Sequence, residues 1–176
     1  MFKHGWQGRV GVLTLAAAWA LAPLVPPAEA QVSSRDLLTF GRSMAGVYVV
    51  SRPVEEGPSR LLTLSADGVL SSIQSTQFSG GAGGLGFSNQ QGVWRRTGDE
   101  TVSAQVLDIV YDIATGAFMG VTVATYELTF LEERQRVQGT VTGKIYAVGV
   151  DPLRPGDATP IAEFSDTFEA KRVRVP

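Results

Sequence analysis

From Gly46 onward, apolar and polar residues alternate with a period of two almost to the C-terminus. The clearest stretch puts Val137, Gly139, Val141, Gly143, Ile145, Ala147 and Gly149 on one side. Gln138, Thr140, Thr142, Lys144 and Tyr146 fall on the other. Successive side chains of a strand leave opposite faces, so this period predicts half-buried strands. Runs rich in Val, Thr, Tyr, Phe and Ile, punctuated by Gly, Asp, Asn and Pro, predict eight of them. They lie at about 46–52, 60–65, 69–78, 90–97, 101–112, 117–131, 136–149 and 162–175. Asp67-Gly68 predicts a type I′ hairpin turn, in which both central residues take positive φ. Gly98-Asp99, Ala114-Thr115-Gly116 and Glu132-Glu133-Arg134 predict further turns, and the three prolines of 151–160 predict a loop.

Short connections make neighbouring strands antiparallel. Eight such strands in series predict an all-β fold, an eight-stranded antiparallel up-and-down barrel, with a β-sandwich as the alternative. The domain spans 44–176, preceded by residues 31–43 as an arm or a short helix around Ser34-Arg35-Asp36-Leu37-Leu38. The fifth and sixth strands are apolar on both faces. Val102, Ala104, Val106, Asp108 and Val110 alternate with Leu107, Ile109 and Tyr111. Val121, Val123 and Glu127 oppose Phe118, Tyr126, Leu128 and Phe130. One face lines the core; the other calls for cover by 31–43 or 151–160, or for a homo-oligomer interface.

The chain opens differently. Lys3 and Arg9 precede an apolar run, 10–25, then Pro23, Pro26 and Pro27, then Ala28-Glu29-Ala30. This order predicts a signal peptide over 1–30, cleaved before Gln31, and hence an exported, periplasmic or extracellular protein with no stable membrane anchor after cleavage. The run is too short for a bilayer span, which needs about 20 residues. The lone histidine, His4, leaves with the signal, and the chain has no cysteine. Histidine bases, thiol nucleophiles, disulfides and the usual zinc ligands are thereby removed from the mature chain. Cleavage leaves 13 basic and 16 acidic side chains, with no basic stripe to meet a nucleic acid.

Candidate chemistry is sparse. Gly81, Gly83 and Gly86 fit G-x-G-x-x-G, but a strand follows them where a dinucleotide site needs a helix. They are read as a glycine-rich loop that could serve as a flap at a barrel mouth. No G-x-S-x-G, S-x-x-K or EF-hand spacing occurs, so no metal or other cofactor is implied. Asp108 and Glu127 lie in phase with valines. Each is either a buried acid suited to proton transfer, or is paired with Arg95, Arg96, Lys144 or Arg172, or is turned outward by a local bulge. Trp94, Asp108, Tyr126 and Glu127 are the candidate ligand-binding residues.

Leu61-Leu62-Thr63-Leu64-Ser65-Ala66-Asp67-Gly68 and Gln91-Gly92-Val93-Trp94-Arg95-Arg96-Thr97-Gly98 form a pair of hairpin signatures. With Asp108 to Asp112, Gln138-Gly139-Thr140 and the closing Lys171-Arg172-Val173-Arg174-Val175-Pro176, the chain resembles small exported bacterial β-barrel proteins. These are mostly uncharacterised and of lipocalin-like or allene-oxide-cyclase-like appearance. The resemblance covers about 44–176 and implies a barrel without fixing an activity. The expectation is an exported barrel that binds a small apolar molecule. The alternatives are a cyclase or isomerase working without His or Cys, and a self-association module.

Overall fold

The computed structural model describes residues 34–79 and 84–176. The predicted signal peptide and the glycine-rich positions 80–83 lie outside the described residues. A helix, α1 (Ser34–Met44), is followed by nine strands. They are β1 (Gly46–Val50), β2 (Arg60–Leu64), β3 (Val69–Gln74), β4 (Leu85–Phe87), β5 (Gln90–Arg96), β6 (Thr101–Asp112), β7 (Phe118–Leu131), β8 (Arg136–Ala147) and β9 (Ala162–Arg172). With β4 set aside, each strand pairs antiparallel with the next, and β9 pairs with β1. The sheet is therefore closed, an eight-stranded barrel and not a sandwich.

Two local readings change. β4 was expected as loop. It forms because β6 runs past the start of β5, leaving Val110 to Asp112 free to pair with Phe87 to Leu85 in line with β5. The Asp67-Gly68 turn is not type I′, since only Gly68 has positive φ (94°). Ser65 N donates to Val69 O at 2.9 Å and Gly68 N to Ser65 O at 3.3 Å, a type I turn closed by a left-handed glycine. The turn at Glu132, Glu133 and Arg134 is the unexpected one. All three have positive φ (50°, 52° and 67°), a cost of about 1 kcal/mol each for side chains with a Cβ. Salt bridges of Arg134 to Glu100 (2.8 Å) and of Arg136 to Glu132 (2.6 Å) brace this turn.

The predicted period decides what is inside. Val102, Ala104, Val106, Asp108 and Val110 of β6 are buried, as are Thr122, Ala124, Tyr126, Leu128 and Phe130 of β7. Their alternate faces look outward, and Ile109 on that outer face stays exposed. Tyr48, Leu62, Leu70, Val141 and Phe168 complete the middle of the core. The small inward residues of β8 do not leave a hollow. A Cβ on Gly139 would collide with the Phe168 ring, and one on Gly143 with Phe164. Each glycine makes room for a phenylalanine directly across the strand pair (Gly139↔Phe168, Gly143↔Phe164).

α1 closes one end. Phe40 and Met44 enter the core, and the Phe40 ring lies 6.1 Å from that of Trp94. The Arg96 guanidinium sits 4.5 Å from the centre of the Phe40 ring. Gly41 lets the helix come this close, because a Cβ there would collide with the carbonyl of Ala66. The helix C-terminus is held by Tyr48, whose hydroxyl donates to Met44 O at 2.8 Å, and by Arg172, which donates to the carbonyls of Ser43 and Ala45.

The closing seam is brief. β1 and β9 pair at Tyr48↔Arg172 and Val49↔Lys171, and Val173 N donates to Val47 O at 2.8 Å next to them. Beyond that the strands part, and side chains replace the missing ladder. Arg52 Nη1 donates to Thr167 O at 2.9 Å, and Arg52 and Arg60 both bind Asp166 Oδ2. The parting leaves an open polar hollow of about 870 Å³ on the outer wall, edged by Arg52, Glu56, Glu169 and Lys171.

Candidate functional site

The end opposite α1 is open. It holds a cavity of about 440 Å³, within the size range of small-molecule sites. Its upper wall is apolar: Pro58, Leu85, Phe87, Val110, Ile145 and Phe164. Its floor is polar: Arg60, Gln74, Gln90, Asp108, Thr122 and Asp166. The polarity is built by strand parity, since Arg60 shares a face with Leu62 and Leu64, and Gln90 with Gly92 and Trp94. Arg60 and Gln90 begin their strands and Gln74 ends its own, so these three gather at one rim.

The floor is a single hydrogen-bonded network. The Tyr126 hydroxyl donates to Gln90 Oε1 at 2.6 Å and lies 3.3 Å from Ser72 Oγ. Arg60 Nη1 donates to the Tyr126 oxygen at 3.3 Å. Gln74 Nε2 also donates to Gln90 Oε1, at 3.1 Å. With its carbonyl oxygen so occupied, Gln90 turns its amide nitrogen to Asp108 Oδ2, at 2.8 Å. Asp108 Oδ1 has no hydrogen-bond partner. Burial pushes the Asp108 carboxyl above the usual carboxylate range; the Thr122 and Gln90 side chains offset part of this. Burial likewise raises Tyr126, and the positive charge of Arg60 opposes it. Arg60 is itself buried, with its guanidinium over the Phe168 ring, and Asp166 neutralises it.

The four sequence candidates are thus separated. Asp108 and Tyr126 meet on the cavity floor through Gln90. Trp94 is at the other end of the barrel, where its Nε1 donates to Ser65 O at 3.1 Å and its ring meets Phe40. Glu127 is outside and exposed, accepting from Ser103 Oγ at 2.7 Å. None of the four arginine or lysine partners foreseen for the acids is used; Asp108 takes Gln90, and the ion pairs of the interior belong to Asp166. Among the described residues, no group of three or more His, Cys, Asp or Glu is placed to hold a metal, and no helix is long and apolar enough to cross a membrane.

The fold and cavity define an up-and-down β-barrel plugged at one end and open at the other. Comparison with family models, curated proteins and solved structures gives no match. Function is therefore read from the cavity itself.

Proposed function

We propose that this protein is an exported barrel that binds a small, mainly apolar molecule in its open mouth. The observation that carries the reading is the cavity of about 440 Å³, with its apolar wall set above a buried polar floor. Such a division suits a ligand that buries a hydrocarbon body and presents one polar end. The filled middle of the core confines the ligand to the mouth. Export follows from the predicted signal peptide and is checked by the N-terminal sequence of the secreted protein, expected to begin at Gln31.

Titration with the neutral fluorophore N-phenylnaphthylamine tests the binding. Micromolar binding is expected, together with at least about tenfold loss in Val110→Trp, whose side chain fills the mouth. Equal binding by the two proteins would refute the site. A second reading, a proton-transferring isomerase, draws on the buried acid Asp108 beside Tyr126. It requires Asp108→Asn to abolish turnover while probe binding persists.

A further inference from the structure

Building on the mouth as a binding site, we infer that its ligand carries an uncharged hydrogen-bond acceptor, a ketone, aldehyde or ester carbonyl, which the Asp108 carboxylic acid holds by donating a proton from Oδ1. The hydrogen bonds of the floor assign that proton. Gln90 Oε1 accepts from Tyr126 and from Gln74, so Gln90 has only its amide N–H groups left for Asp108. Oδ2 is therefore the accepting oxygen. A neutral carboxyl then carries its hydrogen on Oδ1, the oxygen without a partner. Asp108 lines the cavity and is 4 % exposed, and its Oδ1 is closed to water, so a ligand meets this donor by turning the carboxyl toward the mouth. An unmet donor in such a place is costly, and a carbonyl oxygen pressed against the floor meets it.

The other charged groups of the mouth make a carboxylate a poorer ligand. Arg60 from β2 and Arg52 after β1 are both spent on Asp166 of β9. Glu163, at the rim on β9, pairs with Lys144 of β8 at 3.4 Å. Tyr126 of β7 directs its hydrogen to Gln90, away from the cavity. From β7, the Thr122 side chain hydrogen-bonds the Asp108 carboxyl without partnering Oδ1. Among the described residues, the floor atoms left without a partner are Asp108 Oδ1 and Arg60 Nε, and the Arg60 guanidinium lies over the Phe168 ring.

Three probes of matched shape test this on the whole protein: methyl naphthyl ketone, its isostere ethylnaphthalene, and naphthoate. At acidic pH the ketone should bind about five- to tenfold more tightly than the hydrocarbon, the worth of one net hydrogen bond. As pH rises above the ordinary carboxylate range and through the raised titration of Asp108 the preference should vanish, because an ionised carboxylate cannot donate. Hydrocarbon binding should stay level across the range. Asp108→Asn should keep the ketone preference, through its amide N–H, and lose the pH dependence. Asp108→Leu should bind both neutral probes alike; if it fails to fold, the pH profile of the unaltered protein decides alone. Equal binding of ketone and hydrocarbon at every pH, or tightest binding of naphthoate, overturns the inference while leaving the binding site standing. Binding of none of the three overturns the site and the inference together.

Discussion

Asp166→Ala should be the most damaging change at the mouth, because of what it leaves behind. The Arg60 side chain is 2 % exposed, against 22 % for Asp166, so the substitution strands a buried guanidinium without its counter-ion. Removing one partner of a buried pair costs about 3–5 kcal/mol. The lower end applies, because Arg60 keeps its bond to the Tyr126 hydroxyl and the mouth admits some water. Arg52 adds little, since it retains the carbonyls of Pro58 and Thr167. A loss of about 3 kcal/mol, at a urea m-value of about 1.5–2 kcal/mol/M, lowers the unfolding midpoint by about 1.5–2 M. Urea titration followed by circular dichroism measures it. Arg60→Met combined with Asp166→Leu should recover most of the loss, since an apolar pair carries no desolvation penalty. A midpoint drop below about 0.5 M in the single variant would show that Arg60 does not depend on Asp166. A double variant less stable than the single would show that the charge pair is itself stabilising.

Asp108→Asn should be more stable than the parent at neutral pH and equal to it in acid. The folded pKa of Asp108 lies above its unfolded value. As pH climbs from the ordinary carboxylate range to that folded value, the unfolded chain gives up the proton first and the parent loses stability, about 1.4 kcal/mol per tenfold difference in acidity. Thermal melts across pH check the sign; a less stable Asn variant at neutral pH would contradict it. Gly139→Ala should cost about 1–3 kcal/mol, because its Cβ meets Phe168 and Leu128 inside the packed core. Gly143→Ala should cost under about 1 kcal/mol, because Phe164 is 36 % exposed and can swing aside, though into the mouth, where it should weaken probe binding. Equal stabilities of the two glycine variants would refute the distinction.

The barrel was legible because its strands obey one period and its turns are short, so neighbours in sequence are neighbours in space. The site was legible in part. Asp108 shares parity with Val106 and Val110, which marked it as inward. Glu127 shares parity with Val121 and Val123, but β7 is apolar on both faces, and one strand alone does not say which face is inside. Arg60 and Gln90 went unnoticed although both sit on the inward parity of their strands. A polar residue in phase with core leucines was the available signal. The Arg52 and Arg60 bonds to Asp166 had no signal at all, since they depend on how the first strands meet the last. The fate of the β8 glycines was equally hidden, because only the register against β9 puts a phenylalanine over each.

The short seam between β1 and β9 has a consequence for how the chain folds. With β4 set aside, every other strand pair joins neighbours in sequence, so those hairpins can form locally and early. Closure instead joins Tyr48 to Arg172 and Val49 to Lys171, carries the largest loop entropy, and returns only those two register pairs of backbone. An open meander therefore precedes the closed barrel, with two raw edges available for pairing with other chains. Glu163, Glu169 and Lys171 place charge along one of those edges. The long-range attraction of Arg52 and Arg60 for Asp166 draws the two together, so the ion pairs that frame the mouth also bias the chain against aggregation before the barrel exists.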